Sequence, residues 1–150
     1  MHKIINKKAS RDYNIFDKYE AGILLLGAEV KSIKSGGLQL DAAYVKFISG
    51  QPTLVNASVP LYKFARLENY DPKRSRRLLL NKAEIIRIET KLAQKPGLTI
   101  IPLSCYTKGG KIKLEIGLAS GKKNWQIKRV EQNRSEKRRQ QKEIKEWVKR

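Results

Sequence analysis

Apolar residues recur with a period of two in some stretches of this chain and of three to four in others, and the changes of period divide it into elements. Leu26, Val30 and Ile33 are spaced by four and three, one face of a helix, and Gly36-Gly37 is its natural stop. Before it, Tyr13 and Ile15 alternate as a short strand does. After it, Ala43, Val45 and Phe47 alternate, Ser49-Gly50-Gln51-Pro52 turns, and Thr53 to Asn56 returns, so residues 43–57 read as a hairpin. Asn81 with Glu84 resembles a capping box, Ile85, Ile88 and Leu92 share a helical face, and Pro96-Gly97 ends it, which predicts a helix over 82–94. Leu98 to Tyr106 and Lys111 to Leu118 flank Gly109-Gly110. In the second arm Ile112, Leu114, Ile116 and Leu118 face one way and Lys113 and Glu115 the other, a half-buried strand of a second hairpin. Pro102 lacks a ladder donor and is expected at an edge or a bulge. About five strands with a helix between the third and fourth predict a mainly β fold, an OB-like closed antiparallel Greek-key barrel with flanking short helices.

The pattern changes again at Ala119-Ser120-Gly121. From Glu131 to Glu143 no side chain is apolar, and such a segment buries too little to offset its own ordering. This divides the chain into a folded body, 1–120, and a basic C-terminal tail, 121–150, expected to be disordered or a frayed helix when free. Near its end Ile144, Trp147 and Val148 make a short apolar face.

Charge sharpens this division. The chain of 150 residues has 33 Lys and Arg against 14 Asp and Glu, a formal net charge of +19. A charge that large points to a polyanionic partner, nucleic acid before an acidic membrane surface. The tail holds 12 of the basic and 4 of the acidic residues. The longest apolar run, Ile23 to Leu26, cannot span a bilayer, and the first residues carry no apolar signal-peptide core. The single cysteine, Cys105, reads as a small buried side chain and fits a reducing, cytoplasmic setting. The single histidine, His2, is terminal, no phosphate-cradling glycine motif occurs, and the aspartates are scattered, so an enzyme is not expected.

Two places carry candidate chemistry. Glu29 falls beside the Leu26/Val30/Ile33 stripe, which fixes its direction. It either pairs with a nearby lysine or offers an acceptor to a partner. In residues 61–77 the aromatics Tyr62, Phe64 and Tyr70 are interleaved with Lys63, Arg66, Lys73, Arg74, Arg76 and Arg77. That suits RNA, because aromatics stack on unpaired bases and guanidinium groups hold phosphates, and it equally suits a solvated loop with a few packed rings. Asn6, Lys7 and Lys8 read locally as a solvated N-terminal strand with a charged edge.

Several motifs together resemble the SsrA-binding protein (small protein B) family of bacterial trans-translation. They are Tyr19-Glu20-Ala21-Gly22-Ile23, Gly27-Ala28-Glu29-Val30-Lys31-Ser32, and Leu40 with Ala43-Tyr44. Asn6-Lys7-Lys8-Ala9, Asn69-Tyr70-Asp71-Pro72 running into Arg74, Arg76 and Leu78-Leu79-Leu80, and Gly121-Lys122-Lys123 extend the match. The tail departs from the family after Lys123: Asn124-Trp125-Gln126-Ile127-Lys128-Arg129 stands where the family has an Asp-Lys-Arg motif. The resemblance implies an adaptor of OB-like fold, without catalysis, cofactor or metal. It would bind the tRNA-like part of transfer-messenger RNA, one to one, and bring it to stalled ribosomes. RNA would be held by Asn6, Lys7, Lys8, Glu29, Lys31, Ser32, Tyr62, Asn69, Arg74, Arg76, Lys122 and Lys123. Trp125, Lys128, Arg129, Arg138, Arg139 and Trp147 of the tail would meet the small-subunit decoding region and the empty messenger channel. The rival readings are a general RNA-binding protein, ribosomal or chaperone-like, and, less favoured, an RNA-processing enzyme or a membrane-surface binder.

Overall fold

Two-residue turns with positive φ join the two hairpins that the alternation predicts. The computed structural model describes residues 1–122 and 124–148, without the side chains of 124–131 and 148. Strands β3 (Tyr44–Ile48) and β4 (Gln51–Val55) pair through a turn at Ser49 (φ 50°) and Gly50 (φ 75°). Turns of this hand match the right-handed twist of the strands they join. Gln51 and Pro52, expected in the turn, already belong to β4 and pair with Ile48 and Phe47. Strands β6 (Thr99–Lys108) and β7 (Lys111–Gly121) pair around Gly109 (φ 59°) and Gly110 (φ 75°). Their register shifts between Pro102 and Ser104, the bulge that the proline demanded.

Longer-range pairing assembles the rest. Strand β2 (Tyr13–Ile23) lies antiparallel on β7 from Tyr13 opposite Gly121 to Gly22 opposite Lys113, so it continues well past the Tyr13/Ile15 alternation. Its far end also pairs with β5 (Arg76–Leu79), and β5 pairs with β4. Strand β5 has no counterpart in the sequence reading: four residues are too few to establish a period, and its charged half looks like loop. The two-residue β1 (Ile4–Ile5) adds to β6 at Cys105 and Ser104. Among the described residues seven antiparallel strands run β1-β6-β3-β4-β5-β2-β7, with β7 paired back on β6.

One core lies inside, built from Ile33, Val45, Leu54, Val59, Leu78, Ile88, Leu114, Ile116 and Leu118 among others. Helix α2 (Gly27–Lys34) contributes Ile33, and α3 (Lys82–Gln94), with the predicted bounds, contributes Ile88. Asn81 sits at the N-cap of α3, but its side chain makes no capping bond. Cys105 is fully buried, and burial pushes its thiol up to about 12.

Two further segments are helical. Residues Lys7–Asp12 form a short helix, α1, rather than a strand edge. Ala9 decides this, because it is buried against Ile101, Leu103 and Ala119 in a second small apolar cluster. The tail, expected to be disordered or a frayed helix when free, takes the form of a helix, α4 (Asn124–Val148). Its Arg, Lys, Glu and Gln residues are good helix formers, so local propensity supports a helix that burial does not. Among the described residues no helix is long and apolar enough to cross a membrane.

Candidate nucleic-acid interface

Helix α2 turns two polar side chains inward and its lysines outward. Glu29 and Ser32 are buried to within 1% and 5% exposure, whereas Lys31 and Lys34 are exposed. Glu29 starts the helix: its Oε1 accepts the Leu26 N–H at 2.8 Å, the return half of a capping box whose first half leucine cannot make.

The same carboxylate is the hub of an ionic cluster. Arg74 donates to both of its oxygens, Arg76 Nε donates to Oε2 at 2.6 Å, and the Tyr70 hydroxyl lies 3.1 Å from Oε2. Arg76 is fully buried, and all five of its N–H donors are matched. Nε reaches Glu29, Nη1 reaches the Ala57 and Arg74 carbonyls, and Nη2 reaches the Pro72 carbonyl and the Tyr70 oxygen, at 2.6–3.2 Å. Tyr70 also donates to the Val59 carbonyl at 2.8 Å. Burial pushes the Glu29 carboxyl up, but hydrogen bonds from Arg74, the Leu26 N–H and Arg76, with the Arg76 charge, outweigh this and hold it at about 2.

The cluster straps residues 57–76 to α2. Ser32 adds a second strap, donating to the Pro60 carbonyl at 2.7 Å. Gly37 makes room for it, because a Cβ there would stand 2.7 Å from Ser32 Oγ.

The strapped loop displays its remaining side chains. Tyr62 is half-buried with the Lys31 ammonium 5.7 Å from its ring centre, and Phe64 is 74% exposed with Lys63 at 4.9 Å. The two rings stand 5.5 Å apart at 69°. Arg66 and Asn69 are exposed on the same loop, Asn69 at φ 56°.

A second basic cluster surrounds α1. Lys7 and Lys8 are exposed and, with Ile5, Arg11, Asp41 and Arg134 of α4, line a surface hollow. Lys122 closes onto the same helix, its Nζ donating to the Ser10 carbonyl at 2.9 Å and its N–H to the Asp12 carbonyl at 2.8 Å.

The comparisons with known proteins bear on these faces. The SmpB protein family matches residues 3–146. This chain belongs to that family. The SsrA-binding protein of Chlorobaculum tepidum is 47% identical over 136 residues, 90% of this chain and 86% of the relative. That of Aquifex aeolicus is 43% identical over 141 residues, 93% of this chain and 89% of the relative. A solved chain from "tmRNA-SmpB: a journey to the center of the bacterial ribosome" superposes with a TM-score of 0.67 at 41% identity, covering 81% of this chain and 85% of that one.

Within this SmpB-family chain the expected RNA-facing residues fall into two groups. Lys7, Lys8, Lys31, Tyr62, Asn69, Arg74 and Lys122 have side chains at the surface or partly there. Asn6, Glu29, Ser32 and Arg76 are inside. Asn6 donates to the Pro102 carbonyl at 2.8 Å and anchors the start of α1. Glu29 therefore has arginine partners from 45 and 47 residues away rather than a nearby lysine, and its acceptors are already filled. Tyr70 is half-buried, with its hydroxyl in this cluster. Lys123 and the side chains of Trp125, Lys128 and Arg129 lie outside the described residues. In α4, Arg138 and Arg139 are exposed, and Trp147 (79%) and Ile144 stand out from the helix beside Gln140 and Glu143. Sequence reasoning picked out Phe64 as one of the interleaved aromatics but not as the exposed neighbour of Tyr62, and it missed Lys34 beside Lys31. It also missed Arg11 and Arg134, which only folding brings beside Lys7 and Lys8. Among the described residues no group of three His, Cys, Asp or Glu side chains suits a metal ion.

Proposed function

We propose that this chain is a non-catalytic RNA adaptor that binds the tRNA-like part of transfer-messenger RNA and delivers it to stalled ribosomes for trans-translation. The observation that carries this is family membership over residues 3–146, with relatives that are SsrA-binding proteins across most of both chains. The geometry supports it. The hydrogen-bonded circuit β6-β3-β4-β5-β2-β7-β6 is best read as a closed barrel of the OB kind, a fold whose strand faces and loops grip oligonucleotides. On it, the α2 face with the strapped loop presents Lys31, Tyr62 and Arg74, and the α1 face presents Lys7, Lys8 and Lys122. Glu29, Arg76, Ser32 and Asn6 act by holding those faces in place.

The tail reads the messenger channel through Arg138, Arg139 and Trp147, and through Trp125, Lys128 and Arg129. In the free protein it exchanges between helix and coil, because its described side chains are exposed. The setting is the cytoplasm, where ribosomes work.

The test is competition binding of the full chain at physiological salt. A transfer-messenger RNA transcript is expected to displace an unrelated hairpin, not the reverse. Equal affinity for the two RNAs would instead establish a general RNA-binding protein, the reading that the net charge of +19 favours by itself.

A further inference from the structure

Phe64 is an apolar ring the fold does not use. It is 74% exposed, in a loop whose base is fastened by the buried Glu29–Arg76 pair and by Ser32. The loop is fastened at both ends of its base, and the ring between them is left in solvent. Tyr62 stands beside it at 69° and 5.5 Å, so the two rings form the walls of a corner. Lys63 and Lys31 lie over the two rings, and Arg66 is exposed two residues on.

We propose that Phe64, with Tyr62 as the side wall, stacks one unpaired nucleobase of the bound RNA, while the flanking phosphates lie against Lys31 and Lys63. This rests on the RNA-binding reading and assigns within it which ring stacks, which ring flanks it and which lysines take the phosphates. The surrounding cations select the ligand. An apolar protein surface on Phe64 would strip water from Lys31, Lys63 and Arg66 and offer them nothing in return. A nucleotide brings a flat π face and an anion on one unit. The base is unpaired because paired bases keep their faces inside the helical stack. Stacking here is tolerant of base identity, since every base has a π face.

The experiment compares F64A, F64L and F64Y in the full chain. Affinities are measured for the transfer-messenger RNA transcript and for an unrelated hairpin with an unpaired loop, across a salt series. F64A and F64L are each expected to weaken binding roughly tenfold, the effect of losing one stacked base. F64Y is expected to bind within about twofold of the native chain. The slope against salt stays unchanged in all three, because no charge is removed. Native affinity in F64A overturns the proposal; so does native affinity in F64L, which would make the contact apolar rather than aromatic. Should the native chain fail to prefer transfer-messenger RNA, the function proposed above falls while stacking is still read on the hairpin. There, weaker binding by F64A than by F64Y supports the proposal, and equal binding overturns it.

Discussion

Arg76 shows how much one side chain holds. A guanidinium offers five donors in a plane; an ammonium offers three from one point. In R76K at least two of the acceptors at Glu29, Ala57, Pro72, Tyr70 and Arg74 lose their donor inside the protein. At about 1–3 kcal/mol for each unsatisfied group, R76K is expected to cost about 3 kcal/mol in a denaturant titration. E29Q leaves the buried Arg76 charge short of its counter-ion and is expected to cost a similar amount, about 3–5 kcal/mol. The same residue makes stability depend on acid. The Glu29 carboxyl is depressed from 4.5 to about 2 in the fold. Its contribution is therefore complete above pH 4.5 and is lost as pH falls through the interval to about 2. Unfolding free energies of the native chain and E29Q should converge across that interval; a constant difference would show that the carboxylate is not the cause.

At the scale of elements, α2 works as a clamp. It holds the 57–76 loop through Glu29 at one end and Ser32 at the other, and Gly37 gives the second strap its space. G37A puts a methyl group 2.7 Å from Ser32 Oγ and 3.0 Å from the Ser32 carbonyl oxygen. The expected cost is about 1–3 kcal/mol in thermal or chemical unfolding, with weaker RNA binding at an unchanged salt slope. The tail helix is the opposite case. Its hydrogen bonds are local, and its described side chains from 132 to 147 are exposed. Hydrogen exchange on the free chain should find β6 and β7 protected and 132–147 exchanging quickly, with protection in the tail appearing when ribosomes are added. A tail protected as strongly as the strands would rule out folding on arrival.

Across the whole molecule, the proposed function divides recognition and electrostatic attraction between body and tail. A chain ending at Lys122 lacks 11 Lys and Arg and 4 acidic residues of the full sequence. It keeps the α2 face, the α1 face without Arg134, the strapped loop and the Lys122 contacts to α1. Its affinity for transfer-messenger RNA should fall moderately and its salt slope should flatten, while the preference over an unrelated hairpin persists. Loss of that preference in the truncated chain would place recognition in the tail instead.

Features set by neighbours a few residues apart could be read before the fold was known. Both hairpins, the bounds of α3, the bulge at Pro102, the glycines at the turns, the basic tail and the family resemblance were all legible from spacing and motif. Tertiary structure alone decided what lies across a buried face. A period says that Glu29 sits by the apolar side of α2; it does not say that Arg74 and Arg76 arrive there from 45 and 47 residues away. That one closure buries Glu29, Arg76 and Ser32, which the resemblance places among the RNA contacts, and fastens the loop on which Phe64 stands exposed. The short elements β5 and α1 escaped for a related reason. Four and six residues carry too little of a period to be read, and partners distant in sequence hold both in place.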